Sequence, residues 1–235
     1  MADCSERLKV VEERLQFAAR KAGRDPRRIT LIAVSKTQPK ARVAELLSAG
    51  HRQFGESTLQ DAMSKIPHFA SSEAVWHFVG HLQSNKAKLV SEHFSWVHSV
   101  DTLKLAARIS AAAVQVDRQV NILLQVNIAK DPAKFGVSPD EVPAVAEHLL
   151  EAELPGVVLK GLMAIGPQGA DPPGLQRAFA RMRRLQESCA QKFGPEWFAE
   201  LSIGMSGDFE VAVAEGATMV RVGTAIFGAR EKINN

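Results

Sequence analysis

ITLIAVSK, residues 29–36, is a near-continuous apolar run that ends on a hydroxyl and an amine. Such a run suits a strand covered on both faces, as in a parallel sheet. Upstream, Leu8, Val11, Leu15 and Ala18 recur at spacings of three and four and predict a helix over 5–21. Asp3, with Glu6 three residues on, has the form of a capping box at its start. Downstream, a helix over 41–49 is stopped by Gly50.

The alternation continues to the end of the chain. Strands are expected at 52–55, 76–80, 96–100, 121–127, 157–165, 201–204 and 218–223. Helices fit near 58–65, 84–92, 102–113, 139–151, 173–192 and 208–215. GPQGADPPG (166–174) reads as one surface loop. Alternating strands and helices imply right-handed βαβ units and a parallel sheet. Eight such units close into a barrel, for which about 200 residues is the lower limit. The expectation is a single α/β domain over 1–235, a (β/α)8 TIM barrel with an extra N-terminal helix. The rival, a doubly wound open sheet, lacks its GxGxxG fingerprint here.

Composition narrows the function classes. The 235 residues are 46% hydrophobic and 23% charged, enough apolar side chain to exclude disorder as the main state. No apolar run approaches the roughly 18 residues that span a bilayer. MADCSERLKVVEERLQ (1–16) has no apolar signal core, so no membrane role is expected. The formal net charge of +3 does not call for a nucleic-acid partner. Cys4 and Cys189 form neither a disulfide framework nor a CxxC pair, which points to a reducing, cytoplasmic setting and to no metal site.

Active sites of such barrels lie at the C-terminal ends of the strands. Lys36 ends the first of them. Desolvation there would lower its pKa and make it a nucleophile toward carbonyls; the bland alternative is a strand cap in solvent. SIGMSGD (202–208) and RVGT (221–224) place glycines and hydroxyls after the seventh and eighth strands. Those two loops frequently bind phosphate in barrels, although an ordinary loop with an N-cap fits the first motif as well. A reactive lysine and a phosphate clamp in one barrel mouth are what pyridoxal 5′-phosphate (PLP) requires. Arg221 shares a strand face with Gly223 and is placed to reach the pyridine nitrogen. Met163 ends the sixth strand at the same mouth.

AVSKTQP (33–39), FGES (54–57), WHFVGHLQSNK (76–86), KGLMAIGP (160–167) and LSIGMSGDFEVAVAEGATMVRVGTAIFGAR (201–230) resemble the pyridoxal phosphate homeostasis protein family. The resemblance runs from about residue 6 to Arg230. It implies a barrel similar to the N-terminal domain of alanine racemase, with a PLP Schiff base on Lys36. It also implies phosphate contacts from Ser202, Gly204, Gly223 and Thr224, with Arg221 near the pyridine nitrogen. Ser57 and Met163 complete the expected cofactor-binding set. One departure stands out: the family pattern FGEN followed by an aromatic residue is FGES followed by Thr58 here. Any contact from Ser57 must then be shorter or water-mediated.

The expected role is intracellular PLP homeostasis without catalytic turnover, and the alternative is a weak racemase-like PLP enzyme. Racemisation needs a proton donor opposite the lysine, and the chain has no tyrosine. His81 is the substitute to weigh, although a lone loop histidine is usually a surface hydrogen-bonder. A non-PLP phosphate-ligand barrel is the third reading. PLP-requiring apoenzymes are candidate partners. Without a racemase-type second domain, a monomer is expected. The basic run Arg177, Arg181, Arg183 and Arg184 reads as the solvated face of its helix, and Ser84 as the N-cap of the helix near 84–92.

Overall fold

Eight strands pair in sequence order, all parallel, and the last closes on the first. They are β1 (Thr30–Val34), β2 (Gln53–Glu56), β3 (Val75–Phe78), β4 (Trp96–Val100), β5 (Val120–Val126), β6 (Val157–Ala164), β7 (Glu200–Met205) and β8 (Met219–Val222). The structure, a computed structural model, describes residues 3–129, 131 and 134–228. Ala229 and Arg230, which end the C-terminal sequence block, lie outside the described residues. Closure excludes the doubly wound rival, because an open sheet keeps two edges.

Among the described residues, each strand is followed by a helix: α2 (Lys40–Ser48), α3 (Leu59–Met63), α4 (Ala87–His93), α5 (Leu103–Gln115), α6 (Val142–Glu151), α7 (Pro172–Phe193), α8 (Phe209–Ala214) and α9 (Thr224–Phe227). The additional helix α1 (Cys4–Lys21) precedes them and packs against α8 and α9. Its capping box forms as the sequence predicts: the Asp3 carboxylate accepts from the Glu6 N–H at 2.7 Å, and the Asp3 N–H donates to Glu6 Oε2 at 3.3 Å. Its buried stripe is Leu8, Val11, Leu15 and Ala18. Arg14 clamps Glu210 of α8 through two bonds of 2.9 and 3.0 Å.

Period-two alternation sorts each strand into two faces. Outward side chains such as Leu31, Ala33 and Phe54 join the layer beneath the helices. Inward ones build a small inner core of Ile32, Leu123, Met163 and Met219, flanked by Val34 and Trp96.

Two local readings need correction. Helix α7 starts at Pro172, so the loop is shorter than 166–174: Asp171 caps the helix by accepting from the Gly174 N–H at 2.9 Å, and proline suits a first turn whose N–H groups have no partners. Ser84 is not an N-cap. It begins a 3-10 turn (Ser84–Lys86) entered from Gln83, and α4 starts only at Ala87. The basic face of α7 is engaged within the chain, with Arg181 3.6 Å from Asp140 and Arg183 3.6 Å from Glu215.

Candidate functional site

The C-terminal ends of β1, β7 and β8 form one corner of the barrel mouth. A cleft there is lined by Val34, Lys36, Thr37, Gln38, Gly223, Thr224, Phe227 and Gly228. It is small, about 40 Å³. Its neighbour is a cradle made by two loops: the Ser206 hydroxyl accepts from the N–H groups of Gly223 (3.1 Å) and Ala225 (3.4 Å). Two amides from the entry to α9 thus converge on a single oxygen supplied by the loop after β7.

Gly204 shapes the approach to that loop. Its φ is +90°, and a Cβ on it would fall 2.6 Å from the Ala212 Cβ and 3.0 Å from the Phe209 Cα. Gly204→Ala combines the left-handed penalty with a backbone clash, an expected loss of about 2–4 kcal/mol. Gly207, which has nothing within 4 Å of its Cβ position, is the control. Urea midpoints should fall for Gly204→Ala and hold for Gly207→Ala; equal midpoints would contradict the packing argument.

Lys36 continues the inward series Ile32, Val34, but it lies beyond the end of β1 and its side chain is exposed. The expectation of a desolvated amine is therefore corrected. The strand ends at Val34, and it is Ser35 that takes the buried position. What the fold does control is the turn carrying Lys36. Lys65, 1% exposed, donates to the Ser35 carbonyl at 2.6 Å and to Glu56 Oε1 at 2.8 Å, and lies 3.0 Å from Asp61. The Ser35 hydroxyl donates to Glu56 Oε1 at 2.6 Å, and the Thr37 N–H donates to Asp61 at 2.5 Å. Both neighbours of Lys36 are thus tied to one buried charge cluster, which also holds Thr37 at a φ of +62°. Burial pushes the Glu56 carboxyl up to about 7 despite the adjacent ammonium.

Arg221, 5% exposed, sits inside the barrel below Gly223. It donates to the Ser202 carbonyl and hydroxyl, each at 2.7 Å, and to the Ala164 carbonyl at 2.9 Å. Burial lowers its pKa to about 10, opposed by the charge of Asp208. Ser202 is wholly buried, and its hydroxyl also meets His98 Nδ1 at 2.9 Å. The Ser202 hydroxyl is therefore turned toward the barrel interior, while Ser206 lies on the amides. Met163 is buried in the inner core. Ser57 is half-buried at the end of β2, and Thr58, which stands where the family has an aromatic residue, caps α3 by accepting from the Asp61 N–H at 3.4 Å. His81 is exposed and stacks on Phe135 with ring centroids 3.5 Å apart. Cys189 is buried, and that burial pushes its thiol up to about 11.

The sequence reading assigns no role to Lys65, His77 or His98, and meets Glu56 only as a polar residue after the second strand. His77 lies within an otherwise apolar strand and His98 within a largely apolar one, and that is the available signal. A wider hollow of about 610 Å³ opens at the N-terminal end of the barrel, but Glu12 and Asp25 there offset Arg20 and Arg27, and its described lining includes no lysine.

Comparison with known proteins places the chain. The family described as "Alanine racemase, N-terminal domain" matches residues 7–231. The pyridoxal phosphate homeostasis protein of Pseudomonas aeruginosa is 45% identical over 231 residues, covering 98% of this chain and 97% of that protein. The solved structure of PipY from Synechococcus elongatus with PLP bound is 37% identical with a TM-score of 0.83, covering 96% of this chain and all of that one. Alanine racemase from Corynebacterium glutamicum, 16% identical with a TM-score of 0.68, shares the fold over 97% of this chain and 63% of its own length. The closed barrel, the match along nearly the whole chain and the full-length relatives together show that this chain belongs to the pyridoxal phosphate homeostasis protein family, within the alanine racemase N-terminal domain fold.

Proposed function

We propose that this protein binds PLP and acts in intracellular PLP homeostasis, holding the cofactor covalently on Lys36 and working without catalytic turnover. The observation that carries the reading is the convergence of Lys36 with Gly223 and Thr224 on one cleft, beside a cradle in which two amides already grip an oxygen. The residues fit the cofactor. A phosphate oxygen can take the place of the Ser206 hydroxyl on the Gly223 and Ala225 amides. The arginine below them suits the ring end. The cleft must widen to admit the ring, and the exposed Lys36 side chain is the wall that moves. When bound, PLP supplies an aldehyde carbon that condenses reversibly with a lysine amine.

The chain's own groups favour holding over turnover. The buried Arg221 cation disfavours protonation of a facing ring nitrogen, which weakens the ring as an electron sink. The two barrel histidines are kept neutral by burial. PLP-requiring apoenzymes are the recipients we propose, with the chain monomeric and residues 1–235 acting as one PLP-binding unit in the cytoplasm. Among the described residues, no helix is long and apolar enough to cross a membrane.

The test is to mix the protein with PLP, desalt it, reduce it with borohydride and map the modified peptide. A pyridoxyl group on Lys36 alone is expected. No retained cofactor, or a label spread over surface lysines, would sink the reading. Incubation of the loaded protein with L-amino acids in D2O should give no rapid α-proton exchange; fast exchange with turnover would favour the racemase-like alternative.

A further inference from the structure

A line of polar side chains, buried but for the part-buried Gln53, crosses the barrel from β8 to β2 behind Arg221. Arg221 Nη1 meets the Ser202 hydroxyl at 2.7 Å, and that hydroxyl meets His98 Nδ1 at 2.9 Å. His98 Nε2 meets His77 Nδ1 at 3.0 Å, and His77 Nε2 meets Gln53 Oε1 at 2.8 Å. His98 and His77 are 0% and 1% exposed.

The proton positions follow from the Arg221 end. A guanidinium only donates, so the Ser202 oxygen accepts there. The hydroxyl's own proton finds its acceptor in His98 Nδ1. A neutral imidazole that accepts at Nδ1 carries its proton on Nε2, which donates to His77 Nδ1. His77 then donates from Nε2 to the Gln53 carbonyl oxygen. Every contact is satisfied in one direction, and each dipole turns its acceptor end toward Arg221. Burial supports the neutral forms, holding the His77 pKa down to about 3 and that of His98 well below its usual value, with His51 and Arg221 adding repulsion. No carboxylate among the described residues is in ion-pair contact with Arg221, and Asp208 acts on it only at longer range. Desolvation of the cation is thus offset mainly by this line and by two backbone carbonyls.

We propose that Ser202 and His98 are positioning residues for Arg221, holding the buried guanidinium charged and aimed at the cofactor ring, so that Ser202 serves the ring end of the site and not the phosphate. The inference rests on the PLP reading above. It assigns the tuning of the bound ring to a one-directional hydrogen-bond line that reaches back to Gln53.

The first arm of the test uses the ligand-free protein. Nitrogen-15 NMR of the histidine side chains should show His77 and His98 as neutral Nε2–H forms, without titration between about pH 5 and about pH 8. An imidazolium, or an Nδ1–H form at either residue, would overturn the line. The second arm follows the visible band of the PLP-loaded protein against pH in wild type, Ser202→Ala, His98→Phe and His98→Asn, with melting curves to check folding. Loosening the cation lets the ring nitrogen protonate more readily, so the titration of Ser202→Ala and His98→Phe should move up by about one pH unit. His98→Asn, which still offers an acceptor to Ser202, should restore it. Ser202→Ala should weaken PLP and pyridoxal equally; a loss confined to PLP would return Ser202 to the phosphate and overturn the assignment. A wild type with no band sinks the functional reading and this inference together. A band whose titration does not change in the variants sinks the inference alone.

Discussion

Lys36→Ala is expected to abolish borohydride-stable attachment of PLP while leaving the fold intact. Three described lysines near this end of the barrel have partners of their own. Lys40 Nζ lies 3.1 Å from His68 Nε2, Lys65 is held by two carboxylates, and Lys134 lies 4.0 Å from Asp131. None of them lines the cleft with Gly223 and Thr224, as Lys36 does. Among the described residues that line the cleft Lys36 is the one lysine, so on its removal the reduced label should vanish and not migrate. The Gly223 and Ala225 amides remain, so a weak, borohydride-insensitive uptake of PLP should survive. Because the side chain is exposed, stability should change by no more than about 0.5 kcal/mol. Persistence of a single reducible adduct in Lys36→Ala would remove the central residue of the proposal.

The second large effect is expected at Lys65, which never touches the cleft. Lys65→Met leaves Glu56 and Asp61 without their buried cation and the Ser35 carbonyl without its donor. Breaking one side of a buried pair typically costs about 3–5 kcal/mol. It also frees both flanks of Lys36, so PLP attachment should fall even where the variant is folded. The cost depends on pH through Glu56. Its Oε1 accepts from both Lys65 and Ser35, while Oε2 is buried without a partner. The folded carboxyl has its pKa raised from 4.5 to about 7. A raised carboxylate pKa means that the folded state binds more protons than the unfolded one between those values. The contribution of Glu56 is therefore complete below 4.5 and is lost as pH rises through about 7. Without Lys65 the neutral form is favoured further, so the gap between wild type and Lys65→Met should widen from about pH 5 to about pH 8. Urea unfolding at both pH values measures it. A gap that is equal at both, or absent, would show that the cluster does not act as described.

The strands and helices were legible because their signals are local. ITLIAVSK, the stripe of α1 and the glycines of the two mouth loops each announce themselves within a few residues. The two glycine-bearing loops could be placed from the order of strands in a parallel barrel. Lys36 was located at the mouth but misjudged in its environment. Its parity points it inward, yet whether a side chain one step past the strand end is covered depends on neighbours that are remote in sequence. Ser202 is expected at the phosphate because it lies in the glycine-rich motif; that its hydroxyl meets His98, 104 positions away in the chain, no local signal tells.

The chain's periodicities and turn residues alone thus indicate eight alternating strands and helices and glycine turns after the seventh and eighth strands, because backbone preference and burial pattern are written residue by residue. Tertiary structure alone settles that Lys36 is exposed on a pinned turn, that Lys65 is buried between carboxylates, and that Arg221 is backed by Ser202, His98, His77 and Gln53. Those outcomes depend on which charged and polar groups meet after closure. Burial makes unpaired charge costly, so the partner found across the barrel, and not the residue type, decides its state.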